Sequence, residues 1–579
     1  MASIAGHHPD RLYHSARGVT HARQAPALSI PIPSSQHPIA YIPIEASDND
    51  HTIELDGFRL TIEDLVLVAR DGARVQIAPA ATARVHHGHQ LLVQAACRGI
   101  PIYGYNRGPG DQQGATTFGG DPASPDNRER LTAHNLKLFC RGAASGAGPE
   151  VAREDIVRAT MLARLNTMLT GHSGVSPKPV QMLAAMLNRR LAPVLRTHGS
   201  VGQSDFPVMA NVAAAMVGAG LAHLAGSRMT ASQALQRAGI APLAPVDRDY
   251  GSVIASNAYA AGQAALLVAD TARLLDWADV IYALSLQAQN GNVSPLLEPV
   301  QRTRPYPHQQ ASARRILELL AGSHLLYTSP HRRLQDPLSF RDVSQLHGAA
   351  RRAAELLHAD ILLQLNSSDD NPTIATDAPH HPLESAPQAA TYRLTTPDAH
   401  GIVMPNANYD PTIWVQSVEL QAIALARVAA GSVQRAIHLR DTVQRQAPNH
   451  EDEVQGDTYA MLSLLAEIES LAAPHIGSRS TLASGIEDLV TFAAHAISRC
   501  SEIVEQARRL LAHELLCAAL CIDRRRDTKH DLPLGNIGEA TLAWVRQSVP
   551  RRHPQRPERP PAETLYELLG ATSPERALT

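Results

Sequence analysis

The chain is predicted to be mainly α-helical, a long-helix bundle with a small N-terminal α+β portion, on three observations. Alanine and leucine dominate the 44% of residues that are apolar, and aromatics make up only 4%, a balance that favours helix over sheet. From Asn135 onward apolar residues recur at helical spacing; Val157, Met161, Leu165 and Met168 form one such stripe, with Arg158, Arg164 and Asn166 off it. Strand-like alternation is confined to the beginning, where Thr52 to Leu60 alternates around Asp56-Gly57 and reads as a short hairpin.

Taken in order, residues 1–38 carry scattered His, Arg and Pro without an apolar signal core and read as a flexible tail. Residues 39–130 form the N-terminal portion, in which Thr61 caps a short helix to Arg70 and glycine and proline crowd a long mobile loop from Gly104 to Pro125. Residues 131–526 form the helical core. Asp205-Phe206-Pro207 marks a helix start, with Asp205 as the cap, and this helix is expected to run through Ala213 to Gly220. A second long helix covers roughly Thr491 to Leu520, with Val504, Ala507, Leu511, Leu515 and Ala518 on one face. Residues 527–579, rich in Pro and Arg, read as a tail with one short helix near Thr564 to Leu569.

Bulk properties exclude several classes. A net charge of −3 gives no basic field for nucleic acid, and no stretch has the apolar length of a membrane span. Five cysteines show no disulfide framework and no CxxC pair, as expected of reduced thiols in the cytoplasm. No metal site is expected: Cys517 and Cys521 lack a matching histidine pair, and neither His86-His87-Gly88-His89 nor His380-His381 has the spacing of a tetrahedral site.

Several segments resemble, in the same order, the aromatic amino-acid ammonia-lyases that act on histidine, phenylalanine and tyrosine. They are Glu54-Leu55-Asp56-Gly57, the loop Tyr103-Gly104-Tyr105-Asn106-Arg107-Gly108, Gly199-Ser200-Val201-Gly202 and Gln335-Asp336-Pro337-Leu338-Ser339-Phe340-Arg341. Gln345-Leu346-His347-Gly348, Asn366-Ser367 with Asp370-Asn371-Pro372, Leu471-Ala472-Ala473-Pro474 and Glu487-Asp488 complete the set. The match spans about residues 52 to 526. It implies the ammonia-lyase/fumarase type of bundle, a homotetramer with active sites shared between chains, and a small-molecule substrate with an anionic group. It further implies catalytic roles for Tyr103 and Glu487 and substrate-binding roles for Arg341, Gln335, Asn366 and Tyr409.

The departures are as informative. Such enzymes cyclise an Ala-Ser-Gly tripeptide into the methylidene-imidazolone electrophile, the glycine nitrogen attacking the alanine carbonyl. Here the segment is Gln203-Ser204-Asp205, and a side chain at the third position hinders that backbone approach, so the cofactor is expected to be absent. The family's second catalytic tyrosine is replaced by Leu338, the histidine of its Ser-His-Ala-x-Gly motif falls at Ala143, and its Asn-Phe-His-Gly becomes Asn408-Tyr409-Asp410-Pro411. The asparagine of its Asn-Gly-Thr stretch falls near Ser256-Asn257.

Acid–base help contributes about 10²–10⁴-fold, less than most enzymes supply. Without the electrophile, the substrate must therefore bring an activated proton, a better leaving group or a conjugated double bond. Elimination, addition, cyclisation or isomerisation of an aryl or acyl metabolite fits this reading. An ordinary aromatic amino-acid ammonia-lyase is the alternative enzyme, and a non-catalytic binding or partner subunit the alternative from another class.

Overall fold

Thr61 does start a helix: its hydroxyl accepts the Asp64 N–H at the head of α1 (Ile62–Arg70). The strand before it, β1 (Thr52–Leu55), pairs parallel with β2 (Arg74–Ile77) across that helix, so the expected hairpin is a strand–helix–strand unit. Asp56 explains the difference, because its carboxylate accepts the Phe58 and Arg59 N–H groups at 2.9 and 3.0 Å and turns the chain into α1.

The computed structural model describes residues 40–45, 51–376, 378, 387–397, 399–446, 455–475, 481–528, 532–551 and 560–578. The expected tail of residues 1–38 and the pair His380-His381 lie outside them.

The core is a set of long helices, Ala258–Gln289, Val343–Leu365, Thr412–Gln446 and Ala493–Thr528, packed on one another. Ala258–Gln289 is buried on nearly every side. At Gly262 a Cβ would fall 2.7 Å from the Ala159 carbonyl carbon, so only glycine lets it touch Glu154–Leu169 so closely. The run Asp249–Gln289 is long and apolar enough to cross a membrane, contrary to expectation, yet 83% of its most apolar window is inside the fold.

Glu154–Leu169 is also buried all round, including the polar residues off its apolar stripe. Arg158 donates to Val68 O and Leu187 O, and Asn166 accepts from Gly57 N. Arg164 reaches Asp370 at 2.8 Å. Another buried pair holds the far side of the bundle: Arg435 Nε and Nη2 meet the two Glu514 oxygens at 2.7 and 2.9 Å, with neither side chain exposed.

Two further expectations change. The helix after Asp205 ends at Met216, because Gly218 and Gly220 adopt φ of 83° and 76° and lead into a strand; Ala213, Ala214 and Ala215 are buried within the chain. The Pro/Arg-rich C-terminal stretch holds helices Gly535–Ser548, Pro561–Ala571 and Pro574–Ala577, which bury Leu542, Val545, Leu565 and Leu569. Trp277 Nε1 donates to Thr572 O, and the Trp277 and Trp544 rings stack at 5.0 Å.

Candidate active site

Five segments converge around the rewritten tripeptide. The Gly104–Pro125 stretch, expected as a mobile loop, is tied down directly after Tyr103. Tyr105 and Phe118 sink into a small second core with Leu91, Leu92 and Ile374, and their rings meet edge-on at 5.0 Å. Tyr105 donates its hydroxyl to Asp247 at 2.8 Å, and His89 meets the other oxygen of that carboxylate at 2.8 Å. The histidine cluster thus contributes a loop anchor, and no grouping that could hold a metal occurs among the described residues.

The Tyr103 oxygen accepts the Gly110 N–H at 2.8 Å. The short helical turn at Gly110–Gln112 abuts the one at Ala483–Gly485, where Ser484 donates to Asp111 at 3.2 Å. The second turn leads directly to Glu487. Farther along that segment, Thr491 and Phe492 donate their N–H groups to Val201 O at 3.2 and 2.9 Å. Gly202 has φ 85°, and a Cβ there would lie 2.0 Å from Thr491 Oγ1. The segment bearing Glu487 thereby clamps the tripeptide loop.

In that loop Gln203 donates to Asp410 at 3.2 Å, and Ser204, at φ 75°, donates its N–H to Asn257 at 3.1 Å. Asn257 also donates to Tyr409 O. Its role was ambiguous from sequence, where the family's asparagine falls only near Ser256-Asn257. Burial, then the neighbouring charges of Tyr103, Glu487 and Asp410, push the Tyr409 phenol up. Burial also pushes the Glu487 carboxyl up, making it a better proton holder. Burial opposes ionisation of Asp410 too, but hydrogen bonds from Thr412 and Gln203 hold it below the usual carboxylate range.

Asp205 stands where the family resemblance puts the attacking glycine. Its N–H donates to Ser256 O at 2.9 Å. Its carboxylate, expected to cap its own helix, instead accepts from Ser200 and from Ala260 N, the latter at 3.0 Å in the first turn of Ala258–Gln289. A nitrogen committed in this way, next to a buried side chain, does not fit attack on the Gln203 carbonyl. The Ala-Ser-Gly triplets that the chain does contain, at residues 144–146 and 483–485, lie elsewhere in the sequence.

Burial, reinforced by Asp369, pushes the Asp205 carboxyl up to about 6. An unfolded aspartate titrates near ~3.9, so the folded chain holds this proton more tightly. The stabilisation from holding it is complete below pH ~4 and is lost as pH rises through about 6. Two pKa units correspond to at most about 3 kcal/mol. Denaturant unfolding of wild type and Asp205→Asn should show wild type losing stability relative to the variant between pH 4 and 7. Parallel pH profiles would show that the carboxyl titrates normally.

The remaining expected residues lie elsewhere. Asn366 uses all its amide capacity inside the fold: Nδ2 donates to Leu60 O and Leu362 O, and Oδ1 accepts from Leu60 N and Asn166. It is a bridge to the N-terminal unit, with no hydrogen-bonding group left for a substrate. Gln335 and Leu338 are exposed. Asp336, between them, accepts the Asn292 N–H just beyond the C-terminus of Ala258–Gln289, whereas Asn257 and Asp205 hold its N-terminus. At 1.5 Å per residue those ends are about 48 Å apart. Arg341 stands likewise at the start of Val343–Leu365, about 35 Å from Asn366 at its end. A single chain therefore keeps Tyr103, Gln203, Tyr409 and Glu487 together and holds Gln335 and Arg341 far from them.

Comparison with known proteins agrees with this architecture. A family model described as aromatic amino acid lyase matches residues 60–547. Histidine ammonia-lyase of Gloeobacter violaceus is 30% identical over 526 residues, 89% of this chain and 95% of that one. The crystal structure of an ergothioneine-degrading enzyme, ergothionase from Treponema denticola, superposes with a TM-score of 0.78 at 26% identity, covering 91% of this chain and 100% of that one. Tyrosine aminomutase from Streptomyces globisporus shares the fold at 23% identity, with a TM-score of 0.78 and coverage of 91% and 98%. The mainly helical architecture, the ordered motifs and the extent of these matches give one conclusion: the chain belongs to the aromatic amino acid lyase family, enzymes that act on small-molecule substrates.

Proposed function

We propose that this chain catalyses a 1,2-elimination without the methylidene-imidazolone electrophile, releasing a tertiary amine from an aromatic α-trimethylammonio acid. The observation that carries the reading is Asp205: a buried carboxylate and a committed N–H stand where cyclisation needs a free glycine nitrogen. Ammonia leaves poorly from an α-amino acid. A quaternary amine has no N–H to lose, stays cationic at any pH, and departs as a neutral amine without an electrophile. Ergothioneine, an imidazole-thione with an α-trimethylammonio carboxylate, has this leaving group, and likeness to an enzyme that degrades it supports the class.

In the step proposed, the Tyr103 oxygen, as phenolate, takes a proton from the β-carbon. That C–H pair becomes the α,β double bond, and the pair of the breaking Cα–N bond leaves with trimethylamine. Glu487 and Tyr409 line the same pocket, and Arg341 of a neighbouring copy holds the carboxylate through a two-pronged ion pair. The separation of Arg341 from Tyr103 within one chain supports a homotetramer with shared sites. Tyr103→Phe and Arg341→Ala, each strongly impaired alone, should recover a fraction of wild-type activity when co-expressed; no recovery would place both residues in one chain's site.

Intact mass and peptide mapping, followed by assays on ergothioneine, histidine betaine and histidine, test the reaction. Expected are an unmodified Gln203-Ser204-Asp205 peptide, trimethylamine from a betaine and no ammonia from histidine. A loss of two waters at that peptide, or ammonia from histidine, would instead establish the ordinary ammonia-lyase that the 30% likeness favours.

A further inference from the structure

Directly behind the Tyr103 loop lies a buried cation that the sequence motifs do not mark. Arg248 is 3% exposed. Its Nη1 donates to Ser173 O and Ser252 Oγ at 3.3 and 3.1 Å, and its Nη2 to Asn371 O, all uncharged acceptors. Its Nε is buried without a hydrogen-bond partner and lies 3.9 Å from where a Cβ on Gly104 would stand, facing the backbone next to Tyr103. Among the described residues no carboxylate pairs with it; the nearby Asp370 is engaged by Arg164 at 2.8 Å.

Removing a guanidinium from water without a paired anion is costly, and burial pushes this one down to about 10, against the attraction of Asp370 and Tyr103. The other groups sharing its field are Arg164 and Tyr250, while Tyr103 also faces Tyr250 and Tyr409. Within that set Arg248 is the positive charge set against the Tyr103 loop without an ion-pair partner of its own.

We propose that Arg248 is a positioning residue for proton abstraction: a fixed, dry cation beneath Tyr103 and Gly104 that favours negative charge on the Tyr103 oxygen. The Gly110 N–H donated to that oxygen acts in the same direction from the opposite end. This rests on the reading of Tyr103 as the base. It assigns the cation that matters to the same chain, and leaves Arg341 the separate task of holding the substrate.

The test is a tyrosinate absorbance titration of the full-length protein without substrate. Subtracting the Tyr103→Phe curve from wild type isolates the Tyr103 transition, and repeating the pair in Arg248→Gln and Arg248→Lys backgrounds shows what the cation does. Arg248→Gln should move the transition upward by about one pH unit or more, and Arg248→Lys should leave it near wild type. An unchanged midpoint in Arg248→Gln overturns the proposal. Should that variant fail to fold, wild type alone decides: a buried cation is little screened, so the midpoint must hold between low and high salt. A midpoint that follows salt overturns the assignment. Because no substrate is present, absence of betaine turnover with the expected shift would refute the elimination reading alone.

Discussion

Replacing Tyr103 by phenylalanine is expected to lower kcat on the betaine by about 10²–10⁴-fold, the range general acid–base groups supply, with little change in KM. Only the oxygen is removed. The ring stays, and the loop remains anchored through Tyr105 on Asp247 and Phe118 in the small core. Glu487→Gln should cost less, because Glu487 is proposed to line the pocket rather than take the proton. Steady-state kinetics on both variants checks this order, and a Tyr103→Phe enzyme as fast as wild type would remove the base from the mechanism.

The second large effect concerns stability. Glu514→Ala is expected to cost about 3–5 kcal/mol, because it leaves the fully buried Arg435 guanidinium without its counter-charge. Ser285, which donates to the same carboxylate at 2.8 Å, loses its partner as well. Arg435 Nη1 also holds Ser339 O at 3.1 Å, and Tyr282 holds Phe340 O at 2.7 Å. Loosening Arg435 therefore frees the turn that presents Arg341, so KM should rise together with the loss of stability. Denaturant midpoints read the first effect and kinetics the second. The double change Arg435→Met with Glu514→Leu should recover most of the stability, since an apolar pair of similar volume can replace a buried ion pair; failure to recover would point to geometry rather than charge.

Much of the fold was legible because it depends on local patterns. The stripe of Val157 to Met168, the Thr61 cap and the ordered motifs each act over a few residues. Partnering in space was not legible. Asp56-Gly57 marks a turn, but nothing nearby says that β1 waits for a strand beyond α1. Arg158 and Asn166 read only as positions off the apolar stripe, because their hydrogen-bond partners lie in other segments. Asn366 looked like a pocket residue until its four hydrogen bonds placed it against Leu60. Arg248 carries no motif, being one arginine between two aspartates. Long helices such as Val343–Leu365 put consecutive motifs, those of Arg341 and Asn366, at opposite ends of a rod, which motif order cannot express.

The end of the chain has a practical consequence as a built-in optical probe. The protein has three tryptophans, and Trp544 of the C-terminal stretch lies stacked on Trp277 of the central helix. Two of its three emitters thus report on one seam, the place where the last helices close over the bundle. Release of that end parts the rings and admits water to Trp277, which is otherwise 1% exposed. Trp414 lies on another long helix, donating its ring N–H to Gln364. A change in emission can thus separate peeling of the C-terminus from melting of the bundle.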